Sequence, residues 1–417
     1  MRIWIDATDM RSQLRVFGMS LLERQLQAIS RAELDRPEVC VVLPKDTPPP
    51  RLPDLGRLAV RWERTTGSVQ DQLAAAVARA DGEALIATEG HAIIDARLLD
   101  HVAQRPGSYA AMGGEGEART ALLRLEHEVP TEPMPEARLT ALAQHYLACG
   151  TLSELSLAEV PSYIPKLRRD LPLYLFGITD STSRDAAERF LFWSNYKGST
   201  DFFTKYVYPP LVWLMVRPLA RWRVHPNSVT LVSIVLTLAA IPLFGLGSWV
   251  SGFVCAYAMS VLDSVDGKLA RLTFRSSRLG DWLDHGLDIV HPPLWYAAWA
   301  WGLSQADLDS AVFQAALWIT GVYILDRIVA GVFSWRHGRS IHGYTRLDEI
   351  MRTFISRRNI NLPLFMVGLL VGLPIPIFYL IVAWQVASFV FHADRLVRFW
   401  NARPTGPLAE LAAKKRG

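Results

Sequence analysis

Five aspartates, Asp263, Asp266, Asp281, Asp284 and Asp288, fall in the stretch "SVLDSVDGKLARLTFRSSRLGDWLDHGLDIVHPP", which runs from Ser260 to Pro293 between apolar runs long enough to cross a bilayer. A carboxylate at mid-membrane costs roughly 2.5–3.5 kcal/mol on insertion scales, and several together also repel one another. Divalent cations remove both penalties, and hard oxygen ligands suit Mg²⁺ or Mn²⁺, with four carboxylates enough for a pair of ions. On a helix Asp263 and Asp266 are three apart, with Gly267 and Ala270 on the same face, while Gly280, Asp284 and Asp288 form a ladder of fours. Two adjacent antiparallel helices, rising ~1.5 Å per residue, bring the four acids of those two faces to one depth. Gly267, Ala270 and Gly280 leave a slot for a flat ring, and Arg271 at its inner edge can hold a phosphate. A metal pair beside a nucleotide slot reads as chemistry on a diphosphate. Two other readings stay open: a salt-bridge network with Lys268, Arg271, Arg275 and Arg278, and a proton or cation pathway. Asp281 fits a helix N-terminal acid favoured by the dipole. His285 and His291 read as packing or hydrogen-bonding residues.

The elements that position these acids are six apolar segments, near 228–246, 250–272, 280–303, 311–334, 360–374 and 375–399. The loops between them alternate. Lys205, Arg217, Arg221 and Arg223 precede the first, "GLGSW" carries no basic residue, Arg275 and Arg278 follow, and "SQADLDS" carries none. "WRHGRSIHGYTRLDEIMRTFISRRN" is arginine-rich, "GLPIP" is neutral, and the tail is basic again. The positive-inside rule then puts both termini, and the acids, on the cytoplasmic side of a bacterial-type inner membrane. The 417 residues carry 44 Lys+Arg against 40 Asp+Glu, a net charge of only +4, so no nucleic-acid partner is expected. The basic residues beside the apolar runs suit anionic lipid instead. Cys40, Cys149 and Cys255 have no metal spacing and imply reduced thiols. "MRIWIDATDM" lacks the basic and apolar regions of a cleavable signal, so none is expected.

The spacing Asp263-x-x-Asp266-Gly267-x-x-Ala270-Arg271, eight residues, then Gly280-x-x-x-Asp284-x-x-x-Asp288 resembles the signature of the CDP-alcohol phosphotransferases at all eight positions. "HPNSVT" (His225 to Thr230) resembles the opening of that family's first span, and "YKGSTDFFTKYVYPP" the surface helix before it. The resemblance covers about 185–400. It implies six spans around a polar cavity open to the cytoplasm, a homodimer, and Mg²⁺ or Mn²⁺, two ions, on Asp263, Asp266, Asp284 and Asp288. It further implies that Asp288 is the general base, and that Gly267, Ala270, Arg271 and Gly280 bind the CDP moiety. The implied donor is CDP-linked, CDP-diacylglycerol or a CDP-polyol, and the acceptor an alcohol or polyol phosphate. For that acceptor Arg327, with Arg357 or Arg358 and Arg395, forms a basic pocket; alternatively Arg327 pairs with Asp326 at a helix interface.

Residues 1–180 alternate strand-like and helix-like stretches. "RIWID", "VCVVLP", "LAVRW" and "ALIAT" read as strands, "MSLLERQLQAISRAEL" and "SVQDQLAAAVARA" as amphipathic helices, which implies a doubly wound α/β domain with a parallel sheet. "VFGMSLLERQLQAISRAELDRPEVCVVLP" and "GEALIATEGHAIIDARLLDHV" resemble segments of sugar-nucleotide nucleotidyltransferases. The glycine-rich loop is replaced by "DATDMRSQLRVFG", and Thr88-Glu89-Gly90-His91 stands where a metal aspartate is usual. The expectation is a degenerate, inactive cytoplasmic domain at 1–180, a linker and amphipathic juxtamembrane helix at 181–226, an all-α six-helix transmembrane domain at 227–400, and a basic tail at 401–417. Fusions of this kind resemble the enzymes that make CDP-inositol and then a di-inositol phosphodiester. A transferase is expected, and an ion- or proton-coupled transporter is the alternative.

Overall fold

The computed structural model describes residues 1–402 apart from 51, 53–54, 57, 66, 127–133, 135–137, 165–166 and 168; the side chains of 278, 279, 281 and 283–285 also lie outside the description. Asp281, Asp284 and His285 are therefore placed only as backbone positions on a helix, and most of the basic tail is outside the described residues. The chain forms two compact units, one of Met1–Ser162 with Asp170–Ser194, the other of Tyr163–Arg169 with the chain from Asn195 on.

In the first unit a seven-stranded sheet uses β1 (Arg2–Asp6), β2 (Glu38–Leu43), β3 (Ala59–Arg64), β4 (Leu85–Glu89), β5 (Tyr109–Gly113), β6 (Thr120–Leu125) and β7 (Ser153–Glu154), in the order β7-β5-β6-β4-β1-β2-β3. Side chains alternate across β1. Ile3 and Ile5 join a core with Leu22, Leu26, Leu98 and Leu99 of helices α1 (Leu21–Arg31) and α3 (Ala96–Gln104). Trp4 joins another with Leu73, Leu142 and Tyr146 of α2 (Val69–Arg79) and α4 (Leu139–Ala148). Ser20 and Ser68 cap α1 and α2 by accepting from Glu23 N and Asp71 N. The four strands read from the sequence are present, and β1, β2, β3 and β4 are mutually parallel. The sheet is mixed, however, which corrects the parallel expectation: β6 runs antiparallel between β4 and β5. A short connection with Gly114 (φ +76°) and Gly116 (φ +53°) turns β5 straight back into β6, too short for the helical crossover that a parallel neighbour needs. Helix α5 (Ser181–Ser194) closes this unit.

The second unit is helical. Its helices are α6 (Tyr208–Arg221), α7 (Pro226–Gly245), α8 (Trp249–Leu272), α9 (Arg278–Leu303), α10 (Ala311–His337), α11 (Arg346–Phe354), α12 (Arg358–Leu370) and α13 (Pro374–Phe399). The start signals are local. His225 precedes Pro226 at the first turn of α7, Ser310 caps α10, and Thr345 with Asp348 forms a capping box on α11. Among the described residues three helices, α7, α10 and α13, are long and apolar enough to span a membrane, with mean hydropathy of 2.1, 1.6 and 1.8 over their best windows. Helices α8 and α9 have spanning length but carry the acids, and α12 has only 13 residues. Leu231, Val235, Trp318, Leu325, Leu380 and Val390 point outward, giving the bundle an apolar exterior. Inside, Phe244, Phe253, Trp295, Trp299, Phe365 and Phe378 pack together, with Trp299 stacked on Phe365 at 4.4 Å. This core takes the end of α7, the start of α8 and the end of α9. The acids sit toward the opposite end of α8 and α9, where the packing gives way to a cavity.

Candidate active site

The turn between α8 and α9 is set by Phe274 at φ +54° and by Arg275 N, which donates to Ala270 O at 2.9 Å. Ser277 Oγ accepts from Gly280 N at 3.0 Å and donates to Asn227 Oδ1, also at 3.0 Å. A Cβ at position 280 would lie 2.9 Å from Asn227 Oδ1, so glycine lets α9 start against α7. One turn further along α7, Thr230 Oγ1 donates to Asp266 Oδ2 at 2.6 Å. The "HPNSVT" stretch thus orients both acid-bearing helices, a role not read from sequence, where it marked only the start of a span.

The acids open onto a cavity of about 500 Å³. Asp263, Gly267, Arg271 and Asp288 all line it. Arg358, the first residue of α12, donates from one guanidinium nitrogen to Asp263 Oδ2 at 2.8 Å, and the other lies 2.9 Å from Asp288 Oδ1. His291 holds that guanidinium from behind. Its Nε2 is 3.1 Å from Arg358 Nη1, and its Nδ1 is 2.7 Å from Leu287 O, so the tautomer with Nδ1–H donates to the carbonyl and accepts from the arginine. His291, read from sequence as a packing or hydrogen-bonding residue, is thus a hydrogen-bonding one. Arg271 arches over Gly267, where a Cβ would meet its Nη1 at 3.4 Å. Lys268 also lines the cavity, its Nζ 3.0 Å from the centre of the Tyr196 ring.

Not every expected site residue faces this space. Asp266 is 5% exposed and turned to Thr230, and neither Ala270 nor Gly280 is among the lining residues. Arg327, Arg357 and Arg358 line the cavity, and Arg327 also pairs with Asp326 at 3.2 Å. Arg395 does not line it. Its Nε pairs with Asp348 at 2.9 Å and its guanidinium lies over Phe391 and Phe399, because the Thr345–Asp348 capping box presents a buried carboxylate there. Arg352 of α11 takes a place in the wall instead. Asp201, missed in the sequence, accepts from Thr204 N at 3.0 Å and from Asn359 Nδ2, tying the segment before α6 to the start of α12. Among the described contacts the cation that meets both Asp263 and Asp288 is Arg358, which comes from a helix far along the chain and left no local signal.

Among the described residues no group of three or more His, Cys, Asp or Glu is arranged as a metal cage. The donor set nonetheless fits a hard cation: Asp263 and Asp288 already converge on one cationic group, and Mg²⁺ is commonly held by one or two carboxylates with substrate phosphates and water completing its shell.

The first unit has its own pocket, about 320 Å³, at the carboxyl ends of β1 and β4, where Asp6 and Glu89 are paired in register. Glu89 Oε2 accepts from Thr120 Oγ1 at 2.7 Å and from Thr140 Oγ1 at 2.5 Å. Asp6 Oδ1 accepts from Thr8 N at 3.0 Å and Thr8 Oγ1 at 2.6 Å. Asp9 is held by Arg11 Nε at 2.7 Å, so the loop after β1 is closed by its own ion pair. Burial pushes the Asp6 carboxyl above its usual range, against the Thr8 hydrogen bonds. Burial lowers the His91 imidazole, opposed chiefly by the Glu89 carboxylate.

The helical unit is thus a bundle with an apolar exterior around a cavity lined by carboxylates and arginines. Residues 223–400 match the family model of CDP-alcohol phosphatidyltransferase, so the helical unit carries a domain of that family. The archaetidylinositol phosphate synthase of Aeropyrum pernix is 39% identical over 79 residues, covering 19% of this chain and 41% of that protein. The bifunctional IPC transferase and DIPP synthase of Thermococcus kodakarensis is 30% identical over 131 residues, covering 26% of this chain and 28% of that protein. The matches thus span less than half the length of either relative.

Proposed function

We propose that the chain transfers a phospho-alcohol group, phosphatidyl or phospho-polyol, from a CDP-linked donor to an alcohol acceptor, with release of CMP. Gly267, Ala270, Arg271 and Gly280 form the side that takes the CDP moiety, and Asp263, Asp266, Asp284 and Asp288 hold Mg²⁺ or Mn²⁺, two ions. Bound there, the ions neutralise the diphosphate and polarise the phosphorus–oxygen bond. Asp288 takes the proton from the acceptor hydroxyl, which attacks the β-phosphorus as CMP leaves. Its carboxylate is 48% exposed, the most open of the three described site acids, which supports a role toward an incoming substrate. Arg327, Arg352 and Arg357 give the cavity a positive charge that suits an acceptor phosphate. Arg358, tied to the acids, joins those arginines once it is released. Arg395, paired elsewhere, is left out of the assignment.

In the same reading α7, α8, α9, α10, α12 and α13 are six spans, with both termini and the cavity cytoplasmic in a bacterial-type inner membrane, and the protein works as a homodimer. The first unit is a doubly wound, degenerate nucleotidyltransferase-like domain without catalysis of its own, and the domain limits are 1–180, 181–226, 227–400 and 401–417. One observation carries the reading: two acids from successive helices converge on one cation in a cavity also lined by Arg327, Arg352 and Arg357. The test is mass spectrometry of the products formed when the full chain in lipid nanodiscs receives Mg²⁺ and a panel of CDP-linked donors and alcohols. A phosphodiester with equimolar CMP is expected; absence of CMP with every donor overturns the reading.

A further inference from the structure

Arg358 occupies an electrostatically costly place. It is the first residue of α12, and Arg357 before it is the N-cap, with no side-chain hydrogen bond to the helix. Two cations at the positive end of a helix dipole are unfavourable unless anions face them. Asp263 and Asp288 supply those anions, and the guanidinium, 10% exposed, spends its fork on both. The same two carboxylates are the acids that the proposed function gives to the metal. A divalent ion entering between them competes with the guanidinium for the same oxygens. Once displaced, Arg358 remains anchored at the helix start, beside His291, in a cavity whose other wall residues include Arg327, Arg352 and Arg357. It then needs a new anion, and that position suits a phosphate.

We propose that Arg358 is an exchangeable counter-cation: it neutralises Asp263 and Asp288 in the metal-free site, and entry of a divalent cation transfers it to an anionic group of the second substrate. The inference rests on the metal reading of the acids and adds an order to it. Metal binding and acceptor-anion binding become positively coupled, and coupling between sites is reciprocal, so each ligand must tighten the other by the same factor. No covalent bond is made or broken in the exchange; Arg358 gives up its ion pairs with Asp263 and Asp288 to the metal and gains one with the incoming anion. His291 acts as a positioning residue that keeps the guanidinium within reach of both partners.

The test is calorimetric titration of the full chain in lipid nanodiscs with Mn²⁺, with inorganic phosphate, and with each in the presence of the other, so its readout is binding rather than turnover. In the wild type, Mn²⁺ should tighten phosphate binding about fivefold or more, the lower end of typical coupling between sites. Arg358→Gln removes the competitor, so Mn²⁺ should bind about tenfold tighter, as expected for loss of hydrogen bonds to charged groups, and the coupling to phosphate should vanish. Arg358→Lys keeps the charge without the fork and should fall between the two, which keeps the test open if the glutamine variant does not fold. Mn²⁺ affinity that is unchanged or weaker in these variants, or coupling that persists in them, overturns the exchange while leaving the metal reading in place. A wild-type protein that binds no Mn²⁺ overturns both.

Discussion

The helix cavity and the pocket at the carboxyl edge of the sheet both collect carboxylates, yet they satisfy them by different means. At the sheet edge hydroxyls do most of the work, Thr8 on Asp6 and Thr120 and Thr140 on Glu89, while Asp9 is closed by its neighbour Arg11. In the cavity Asp263 and Asp288 both meet Arg358, a long cationic side chain from another helix. Short hydroxyl donors fixed close to the backbone leave a carboxylate little reason to exchange. A guanidinium on a flexible stem can be traded for another cation at modest cost. Burial alone therefore does not mark a working acid. The kind of partner does.

The largest expected effect tests the cavity side. Asp288→Asn keeps the shape but cannot take a proton, and loss of a general base typically lowers the rate by roughly 10²–10⁴-fold. Turnover is followed as CMP released by the full chain, with donor affinity measured in parallel. Binding close to wild type alongside collapsed turnover is expected; near-normal turnover removes Asp288 from the chemistry. Removal of divalent ions with EDTA should also stop CMP release, and activity that survives in metal-free buffer would place the acids with the sheet-edge group, satisfied by protein alone.

A smaller loss is expected at Gly267. A single methyl there touches only the tip of Arg271, at 3.4 Å, and a flexible side chain can yield. Gly267→Ala should bind CMP nearly as well as the wild type. Leucine reaches further, displacing Arg271 and filling the slot, and Gly267→Leu should lose CMP binding while the protein remains folded in membranes. Equal binding by both variants would move the nucleotide elsewhere.

On the sheet-edge side the expectation is no change in catalysis. Glu89→Gln retains one oxygen that can accept from the two threonines, and CMP release should match the wild type. The full chain given CTP and polyol phosphates should produce no pyrophosphate. Pyrophosphate that appears with the wild type and disappears with Glu89→Gln would show the pocket to be a second active site and dissolve the contrast.

Much of the frame could be read from sequence because its signals are local. The predicted segments 228–246, 250–272 and 280–303 fall on α7, α8 and α9 within a few residues, and "RIWID" and "ALIAT" are β1 and β4. The convergence of Asp263 and Asp288 followed from helical spacing alone. What escaped depended on contacts far apart in the chain. Arg358 reaches Asp263 across 95 positions and Thr230 reaches Asp266 across 36, and no periodicity announces either. Gly280 was read as space for a ring, and a side chain there would also meet Asn227, a contact that a glycine's vacancy does not announce. Arg395 was drawn into the cavity by its charge, though its partner, Asp348, was already engaged as a helix cap. Strands β5 and β6 were missed because "YAAMG" and "TALLRL" lack the β-branched pattern of the other strands, and the antiparallel turn between them went with that omission.

The smallest effect bears on Asp6 and concerns stability rather than catalysis. Its carboxyl is pushed up by burial, and the neighbouring Glu89 and Asp9 add to the rise, while the two bonds from Thr8 oppose it. A folded-state pKa above the unfolded value of 3.8 means that the native chain holds its proton more tightly than the unfolded chain. Between the two values stability therefore falls as pH rises, and at neutral pH the ionised group is a net cost to the fold. Both bonds from Thr8 end on the same oxygen, Oδ1, so asparagine can accept them unchanged and remove the charge. Asp6→Asn should raise the thermal midpoint of the first unit at pH 7, followed by limited proteolysis of the full chain on a temperature ramp. The gain should shrink as pH falls and disappear below the unfolded value, where aspartate is protonated in both states. A variant that is less stable at pH 7 would mean that a charge at Asp6 is favoured. The sheet edge would then be holding its acid for a cation, as the helix cavity does, and the difference between the two sites would come down to which cation arrives.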